Sequence, residues 1–346
     1  MSARYNTMDM GRGLLSALLE LLAFKERGPR FPGNPVRRSA VFLHGGWRCC
    51  STYIWSRFRQ SPHALCYYEP FNEVLRRCTP KRIRRGTVSS WNSRHPPLDR
   101  PYRDEYLPLL GLRGVRGYHD HFAVSRYFPW KDSLEPEVRY LSGLLDNAAS
   151  AGKCAVFGFS RSLARAAVIK RALGGFHVVL RRDPIQQWLS CRSYRVAEGS
   201  VYFELCHFMI LALAPAGSAA SRFAQRLGLP RPPPGSFKEQ FEFLKRALGR
   251  WSDELSYRAF LAVHLLSYAI ADAHADLTID VDYLSRAHEY REAVRRAIAS
   301  RTNLAVDFDD CRLSTHDPAL AALDYEAVAR DVVQVLRSCG ASIPAG

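Results

Sequence analysis

Three things are scarce in this chain of 346 residues: long apolar runs, cysteine pairs of the kind that bind zinc, and acidic residues. The apolar stretch at residues 13–24 is twelve residues long and Glu20 interrupts it, so it is too short to cross a bilayer. It also lacks a small-residue cleavage site. We therefore expect no transmembrane segment here, and interpret the stretch as an amphipathic helix packed on the protein or, alternatively, weakly associated with a membrane surface.

The nine cysteines are an odd number, and none of their spacings is of the Cys-x-x-Cys or Cys/His type that holds zinc. A chain of this length can bury a full hydrophobic core without disulfides. We expect a reduced, cytoplasmic protein without a metal site.

Acidic residues number 33 against 49 lysines and arginines, which gives a formal net charge of +16. Such a charge favours an acidic partner: a nucleic acid, an anionic membrane or a polyanionic small molecule. The basic residues are dense between positions 76 and 103, where nine of them stand against the single acid Asp99. This stretch has little helical or stacking pattern, so we interpret it as a surface loop or a lid over an anionic ligand, and expect no nucleic-acid partner.

What the chain does contain is a strand, a glycine turn and a helix start at residues 40–55, AVFLHGGWRCCSTYIW. An apolar strand ends before Gly45, and a helix opens at Ser51. The first-turn amides of a helix have no helical acceptors and the helix dipole attracts negative charge, so this arrangement binds anions. Arg48 adds a cation inside the turn, and Ser51 and Thr52 add hydroxyls.

The same turn lacks the lysine of a Walker A loop. That loop reads G-x-x-x-x-G-K-[ST], with lysine directly before the hydroxyl residue. Here Cys50 occupies that place, and Arg48 lies three residues before Ser51. An ordinary ATP or GTP site is therefore not expected.

Glu69 is predicted to lie at the C-terminal end of a second buried strand, residues 65–68, which Pro70 ends. Open α/β sheets bind ligands at such strand ends, although a glutamate before proline can also be a solvated or capping residue. Farther on, His119 and His121 form an i, i+2 pair without an evident third metal ligand. We interpret these histidines as structural or as acid–base residues.

Two apolar runs, residues 155–159 and 176–180, enclose a helical pattern that opens at Ser160 and that a pair of glycines ends. A strand–helix–strand unit predicts an α/β fold with a central parallel sheet flanked by helices. Arg182 leaves the second strand at its end, and Ser190 follows eight residues later on the next helix.

The remaining segments predict one domain. Residues 1–37 are interpreted as an N-terminal helix and linker, and residues 38–346 as a single α/β domain. Within that domain, residues 195–275 hold long apolar helical patterns, which predict a helical insertion that shapes the acceptor side of a pocket. The later elements are expected to be a strand at 277–281, a charged helix at 283–300, a loop or short strand at 303–314 and an amphipathic helix at 325–338.

These motifs, in this order, resemble the sulfotransferase superfamily that uses 3′-phosphoadenosine-5′-phosphosulfate (PAPS). In that family a loop of the form (R/K)-x-G-(S/T)-T-(W/Y/F) binds the 5′-phosphosulfate, and residues 48–53 (RCCSTY) match it except that Cys50 replaces the glycine. An arginine at a strand end and a serine eight residues later hold the 3′-phosphate, and Arg182 and Ser190 have that spacing. The YYEPFNE segment is similar to one in which a glutamate, here Glu69, lies beside the reacting sulfate.

The resemblance implies a P-loop-like sulfotransferase fold and the transfer of a sulfuryl group from PAPS to a hydroxyl or amine of an acceptor, for example a carbohydrate, without a metal. Arg48 would stabilise charge on the leaving phosphate, and Glu69 would be the general base, with His119 or His121 as the alternative. Tyr53 or Trp55 would supply one face of an adenine clamp. The residues implied in PAPS binding are Arg48, Cys49, Cys50, Ser51, Thr52, Tyr53, Arg182 and Ser190.

Two other classes of protein stay open on the sequence: a P-loop kinase or phosphotransferase, and a non-catalytic protein that binds nucleic acid or another polyanion. The missing lysine argues against the first class. The second is supported by the net charge and by the basic cluster alone. Carbohydrates, lipid-linked sugars and small metabolites are all compatible acceptors.

Overall fold

The structure, a computed structural model, describes residues 40–86, 98–129 and 133–342. The predicted N-terminal helix and linker at residues 1–37, and part of the basic stretch, lie outside the described residues.

A parallel sheet of five strands forms the centre of the protein. The strands along the chain are β1 (Ala40–His44), β2 (Ala64–Tyr68), β3 (Leu110–Gly111), β4 (Gly114–Val115), β5 (Cys154–Phe159), β6 (Phe176–Arg181) and β7 (Leu277–Asp280). The central sheet has the order β2-β5-β1-β6-β7 with every neighbouring pair parallel, while β3 pairs antiparallel with β4. The predicted class, a central parallel sheet flanked by helices, is confirmed.

Helices cover both faces of the sheet and fill the connection between β6 and β7. In the described part of the chain the α-helices are α1 (Ser51–Arg59), α2 (Pro80–Arg84), α3 (Glu135–Ser150), α4 (Ala166–Leu173), α5 (Pro184–Glu198), α6 (Tyr202–Ala212), α7 (Ala219–Arg226), α8 (Phe237–Leu248), α9 (Asp253–Asp272), α10 (Val281–Arg286), α11 (His288–Thr302) and α12 (Tyr325–Ser338). Short 3₁₀ helices lie at Glu73–Arg77, Asp104–Leu109, Asp120–Phe122, Leu163–Arg165 and Pro318–Ala321. Among the described residues, no helix combines the length and the apolar character needed to cross a membrane.

The two faces of β1 explain how the layers form. Val41 and Leu43 pack in one core cluster with side chains of α1, α10 and α11, whereas Ala40 and Phe42 pack in another with side chains of α3 and α4. Successive side chains of a strand point to opposite faces, so an apolar run without alternation suits a strand that is covered on both sides. Every residue of β1 and β5 is buried accordingly.

A third core cluster lies among helices α5 to α9 and α12. Helix α6 is buried from Phe203 to Ala212, which matches its nearly continuous apolar sequence. His207 of α6 and His264 of α9 belong to this packed region, and burial lowers the pKa of each to about 3. Both are packing residues of this core.

Two predicted helices differ in the structure. The helix expected to open at Ser160 begins only at Leu163, as a 3₁₀ turn, because Ser160 and Arg161 make buried side-chain hydrogen bonds instead. The charged helix expected at residues 283–300 is divided into α10 and α11, because Ala287 between them has an extended backbone (φ −108°, ψ 114°).

The basic stretch, predicted as a surface loop or lid, contains short helices as far as residue 86. Asn72 caps the first, since its side chain accepts a hydrogen bond from the Val74 amide. Thr79 caps α2 through the Arg82 amide, and Pro80 follows as the first helical residue. These capping hydrogen bonds and the proline at the first helical position therefore stabilise short helices despite the repulsion between the many nearby positive charges.

A chain of buried hydrogen bonds connects β1, β6 and the turn after β5. His44 Nδ1 lies 2.7 Å from Ser162 Oγ, and His44 Nε2 lies 2.9 Å from His177 Nδ1. Burial lowers the pKa of His177 from its ordinary value of 6.5 to about 4 and lowers the pKa of His44 well below 6.5, so both rings are uncharged. His177 Nε2 donates to the Gly174 carbonyl over 2.9 Å; hence His177 Nδ1 accepts from His44, and Ser162 donates to His44.

We expect the free energy of unfolding to fall as the pH is lowered from 6.5 toward 4, because the unfolded chain binds protons on His44 and His177 that the folded chain excludes. In this pH window each histidine adds up to about 1.4 kcal/mol per pH unit to the dependence of the unfolding free energy on pH. Above pH 6.5 the stabilising contribution of each histidine is fully present. Urea unfolding at a series of pH values measures the slope. It should be smaller in the His44→Phe/His177→Phe double variant and unchanged in the exposed-site control His63→Gln; equal slopes in all three would contradict a neutral buried pair.

Candidate active site

Four neighbouring strands end at one cavity of about 320 Å³. Its lining includes Arg48 after β1, Glu69 after β2, Arg161 after β5 and Arg182 after β6. Parallel strands place their C-terminal ends on the same edge of a sheet, which is where open α/β sheets bind ligands. The fold thus brings together four charged side chains that are far apart in the sequence.

The loop between β1 and α1 is tightly folded. A Cβ atom at Gly45 would overlap with the sulfur of Cys49, so only glycine fits there. Arg48 and Cys50 have φ angles of 65° and 68°, in the left-handed region that residues with side chains seldom occupy. Left-handed residues in such a turn make a concave row of backbone N–H groups suited to an anion. Cys50, in the place of the usual glycine, adopts a glycine-like conformation.

Arg48, Ser190 and Arg182 come from two separate sequence motifs and meet in the cavity. Arg48 Nε donates to Ser190 Oγ over 3.0 Å, and Arg182 Nη1 donates to the Arg48 carbonyl over 3.0 Å. The Arg48 guanidinium also lies 4.7 Å from the centroid of the Tyr194 ring. Arg182 Nε is buried and has no hydrogen-bond partner among the described residues, so an anion in the cavity could satisfy it.

A loop between α11 and α12 covers this end of the cavity. Arg182 Nη2 donates to the Ser314 carbonyl over 2.5 Å. The Gln186 side chain makes two hydrogen bonds with the backbone of His316, at 2.8 Å and 2.7 Å. Arg312 and Ser314 of this loop line the cavity. The structure therefore adds a cation, Arg312, that the sequence motifs did not indicate.

The first turn of α1 contributes to both the lining and the attachment of this loop. Ser51, Thr52 and Tyr53 all line the cavity. The Tyr53 hydroxyl donates to Asp310 Oδ1 over 2.7 Å, which ties the covering loop to α1. Burial, followed by this contact with Asp310, raises the pKa of Tyr53 far above its ordinary value of 10, so its hydroxyl stays protonated.

Glu69 is held in a buried network at the other end of the cavity. Its Oε2 accepts hydrogen bonds from Ser160 Oγ over 2.8 Å and from Arg161 Nη1 over 2.8 Å. Arg161 Nη2 continues to Glu73 Oε2 over 3.1 Å and to the Tyr202 hydroxyl over 2.5 Å. Glu69 also has a left-handed backbone, with φ of 49°. The predicted base is thus an ion-paired residue in a strained position.

The two oxygens of Glu69 are not equivalent. All of the hydrogen bonds that its carboxylate makes with the described residues fall on Oε2, so Oε1 is the oxygen left to accept a proton. Burial raises the pKa of Glu69 above its ordinary value of 4.5, while Arg161 and Ser160 oppose the rise because they stabilise the charged form. This is the electrostatic setting of a carboxylate that can act as a base.

Four predicted residues lie outside the cavity lining. Cys49 is fully buried in the core beneath the loop, where burial raises the pKa of its thiol to about 11, so its side chain does not face a ligand. Trp55 is also fully buried and stacks on Tyr102, so it cannot clamp an adenine. His119 and His121 stack on each other 5.3 Å apart and are absent from the lining, which leaves the alternative histidine base without geometric support.

A possible metal-ligand group lies elsewhere on the described surface. Ligand atoms of His288, Glu292 and Asp309 lie within 4.8 Å of one another. Arg295 is 2.9 Å from Glu292 and 3.7 Å from Asp309, and Arg291 is 3.7 Å from Asp309. Because these arginines already neutralise the carboxylates, we assign no metal to this group.

Comparisons with known proteins give two weak structural similarities. No protein-family model matches the sequence, and no curated protein matches it. A sulfotransferase from Alicyclobacillus acidocaldarius is similar over 86% of this chain and 94% of its own, with 15% identity and a TM-score of 0.37. The sulfotransferase domain of the Synechococcus PCC 7002 olefin synthase is similar over 93% and 99%, with 11% identity and a TM-score of 0.35. We base no conclusion about activity on similarities this weak.

The turn after β1 can be tested through its glycine. Gly45→Ala should lower the free energy of unfolding by about 1–3 kcal/mol, because the added methyl group meets the buried Cys49 sulfur. Gly143→Ala in α3 is the matched control: its Cβ would meet nothing within 4 Å, and alanine favours helix. Urea unfolding of both variants measures the difference, and a Gly45→Ala protein as stable as the wild type would contradict the close packing of this turn.

Proposed function

We propose that the protein is a PAPS-dependent sulfotransferase that transfers a sulfuryl group to a hydroxyl of an acceptor. The observation that carries the proposal is the meeting of two anion-binding motifs in one cavity: Arg48 with the first turn of α1, and Arg182 with Ser190. PAPS bears a 5′-phosphosulfate and a separate 3′-phosphate, so it requires two neighbouring sites of this kind.

The residues at each site suit their proposed roles. The amides and hydroxyls of Ser51 and Thr52 would hold the 5′-phosphosulfate, and Arg48 would stabilise the charge that develops on the leaving phosphate. Arg182 and Ser190 would bind the 3′-phosphate. Arg182 Nε is buried and has no hydrogen-bond partner among the described residues, so it would be one of the donors to this phosphate. Arg312 of the covering loop is a further candidate for a phosphate contact.

Transfer would proceed by in-line attack of the acceptor oxygen on sulfur, with cleavage of the bond between sulfur and the bridging phosphate oxygen. Glu69 Oε1 would receive the proton of the attacking hydroxyl. Arg161 and Ser160, which hold Oε2, would fix the orientation of the carboxylate. The helical segment at residues 195–275 would shape the acceptor side, since Tyr202 and Phe203 of α6 line the cavity.

Three further expectations belong to this proposal: one concerns the cellular compartment and two concern the alternative functions. All nine cysteines are free thiols, which fits the reducing cytoplasm. A kinase or phosphotransferase is a weaker candidate, because Cys50 stands where a Walker A loop has lysine. Binding of nucleic acid or another polyanion is weaker as well, because the residues that converge on the cavity suit a small ligand.

Donor binding tests the proposal directly. Adenosine 3′,5′-bisphosphate should raise the thermal unfolding midpoint of the wild type. Arg48→Ala and Arg182→Ala should each weaken its binding by about tenfold or more, the loss of one charge-assisted contact of about 1.5–3 kcal/mol. Arg226→Ala, an exposed arginine on α7, controls for the change in net charge and should bind normally. Stabilisation by ATP with magnesium, and none by the bisphosphate, would overturn the proposal.

The role of Glu69 has a separate kinetic test. Glu69→Gln should keep bisphosphate binding and slow sulfuryl transfer by about 10²–10⁴-fold, as expected for loss of a general base. In the wild type, turnover should fall as the pH drops through the raised pKa of Glu69 and persist above it. In Arg161→Gln this acidic limb should move to higher pH, because the arginine stabilises the charged carboxylate. A Glu69→Gln enzyme with unchanged turnover would place the base elsewhere.

A further inference from the structure

The wall of the cavity around Arg161 has its own charge arrangement, which bears on the acceptor. The Arg161 side chain is only 2% exposed and lies between two carboxylates, Glu69 at 2.8 Å and Glu73 at 3.1 Å. The Tyr202 hydroxyl donates to Glu73 Oε1 over 2.7 Å and closes the network on its far side.

Every terminal hydrogen of the Arg161 guanidinium has an acceptor. Nη1 donates to Glu69 Oε2 over 2.8 Å and to Ser160 Oγ over 3.2 Å. Nη2 donates to Glu73 Oε2 over 3.1 Å and to the Tyr202 hydroxyl over 2.5 Å. Nε is buried and has no hydrogen-bond partner among the described residues. A carboxylate or phosphate on an incoming acceptor would therefore find no terminal guanidinium hydrogen that lacks an acceptor at this wall.

The charges of the wall are also balanced. Glu69 and Glu73 carry two negative charges, and Arg161 carries one positive charge between them. Arg103 adds a second positive charge, which acts on Glu69 at longer range. The Arg103 guanidinium lies over the Tyr68 ring, 5.7 Å from the centroid of that ring. The other cations of the lining, Arg48, Arg182 and Arg312, belong to the end of the cavity assigned to the donor.

The polar atoms left for an acceptor are neutral in character. Asn72 lines the cavity, and its Oδ1 accepts from the Val74 amide over 3.0 Å, so its amide nitrogen is the group that can donate. Glu69 Oε1 can accept from a hydroxyl. The Trp47 ring, 5.1 Å from the Arg161 guanidinium, supplies apolar surface at this wall. Trp47 Nε1, which has no partner among the described residues, is a second neutral donor, and neutral donors, one acceptor and apolar faces suit an uncharged hydroxyl compound.

We propose, as a deepening of the sulfotransferase function, that the acceptor is an uncharged hydroxyl compound and that Glu73 sets this selectivity by neutralising Arg161. An acidic acceptor is disfavoured twice. It meets the Glu69 carboxylate and an arginine whose terminal hydrogens already have acceptors, and it approaches the negative charge of the bound donor. Replacing Glu73 by its uncharged isostere leaves Glu69 as the one carboxylate against Arg161 and the more distant Arg103, and this excess of one positive charge admits an acid.

Two matched pairs of acceptors test this selectivity. Methyl β-D-glucopyranoside against its 6-carboxylate, and 4-hydroxyphenylethanol against 4-hydroxyphenylacetate, differ essentially in one charge. Ligand-observed NMR on the full chain saturated with adenosine 3′,5′-bisphosphate gives their relative affinities. For at least one pair, the neutral member should bind the wild type about tenfold or more tightly than the acid. In Glu73→Gln the preference should shrink to within about threefold. Glu326→Gln, an exposed carboxylate on α12, should keep the wild-type preference.

The outcomes separate the two levels of the proposal. If the wild type binds the bisphosphate but prefers the acid, shows no preference, or binds neither member of either pair, the selectivity is wrong while the sulfotransferase function stands. An unchanged preference in a folded Glu73→Gln protein removes Glu73 as its cause. If Glu73→Gln does not fold, the wild-type preference alone decides the acceptor class. Failure of the wild type to bind the bisphosphate overturns the proposed function, and the acceptor class with it.

Discussion

The parallel pairing of β1 with β5 on one side and β6 on the other is the constraint on which the site depends. The register sets His44 opposite both Phe159 and Val179. The residues that follow, the glycine turn after β1 and Arg161 after β5, therefore emerge at the same level of the sheet. Because these strands are apolar and buried on both faces, they offer few positions for chemistry until they end. Charged side chains consequently collect at a single edge.

That edge has two electrostatically different ends. At the β1–β6 end, arginine side chains and backbone amides face the cavity, and the Nε of Arg182 has no partner among the described residues. At the β2–β5 end, Arg161 lies between two carboxylates, and Arg103 adds a second positive charge at longer range. Burying such a triad is costly in free energy unless every hydrogen bond is satisfied, and here the terminal nitrogens of Arg161 are fully paired. The two ends of the cavity therefore differ in charge, so we expect an anion at the β1–β6 end and a neutral molecule at the β2–β5 end.

Much of this arrangement could be predicted from local sequence. Uninterrupted apolar runs predicted the sheet strands, and the spacing from Arg182 to Ser190 predicted two residues that do line the cavity. Arg161 was missed because it was interpreted as the start of a helix, although it follows a buried strand as Arg182 does. Trp55 was proposed, as the alternative to Tyr53, for one face of an adenine clamp, but its indole is buried against Gly158, which periodicity does not show. The covering loop at Arg312 and Ser314 depends on contacts across more than a hundred residues, such as Arg182 with Ser314, and no local pattern encodes them.

Arg48, Cys50 and Glu69, whose left-handed backbones were noted above, all border the same cavity. A residue with a side chain in that conformation costs about 1–2 kcal/mol relative to a relaxed backbone, and glycine would relieve much of the strain. Because proteins are only marginally stable, relief of this strain would be a large fraction of the free energy of unfolding. At this cavity, substitutions that increase stability are therefore expected to reduce activity. Directed evolution that rewards folding alone would drift toward glycine at Arg48 and Glu69, and so erase the two side chains on which the proposed chemistry depends.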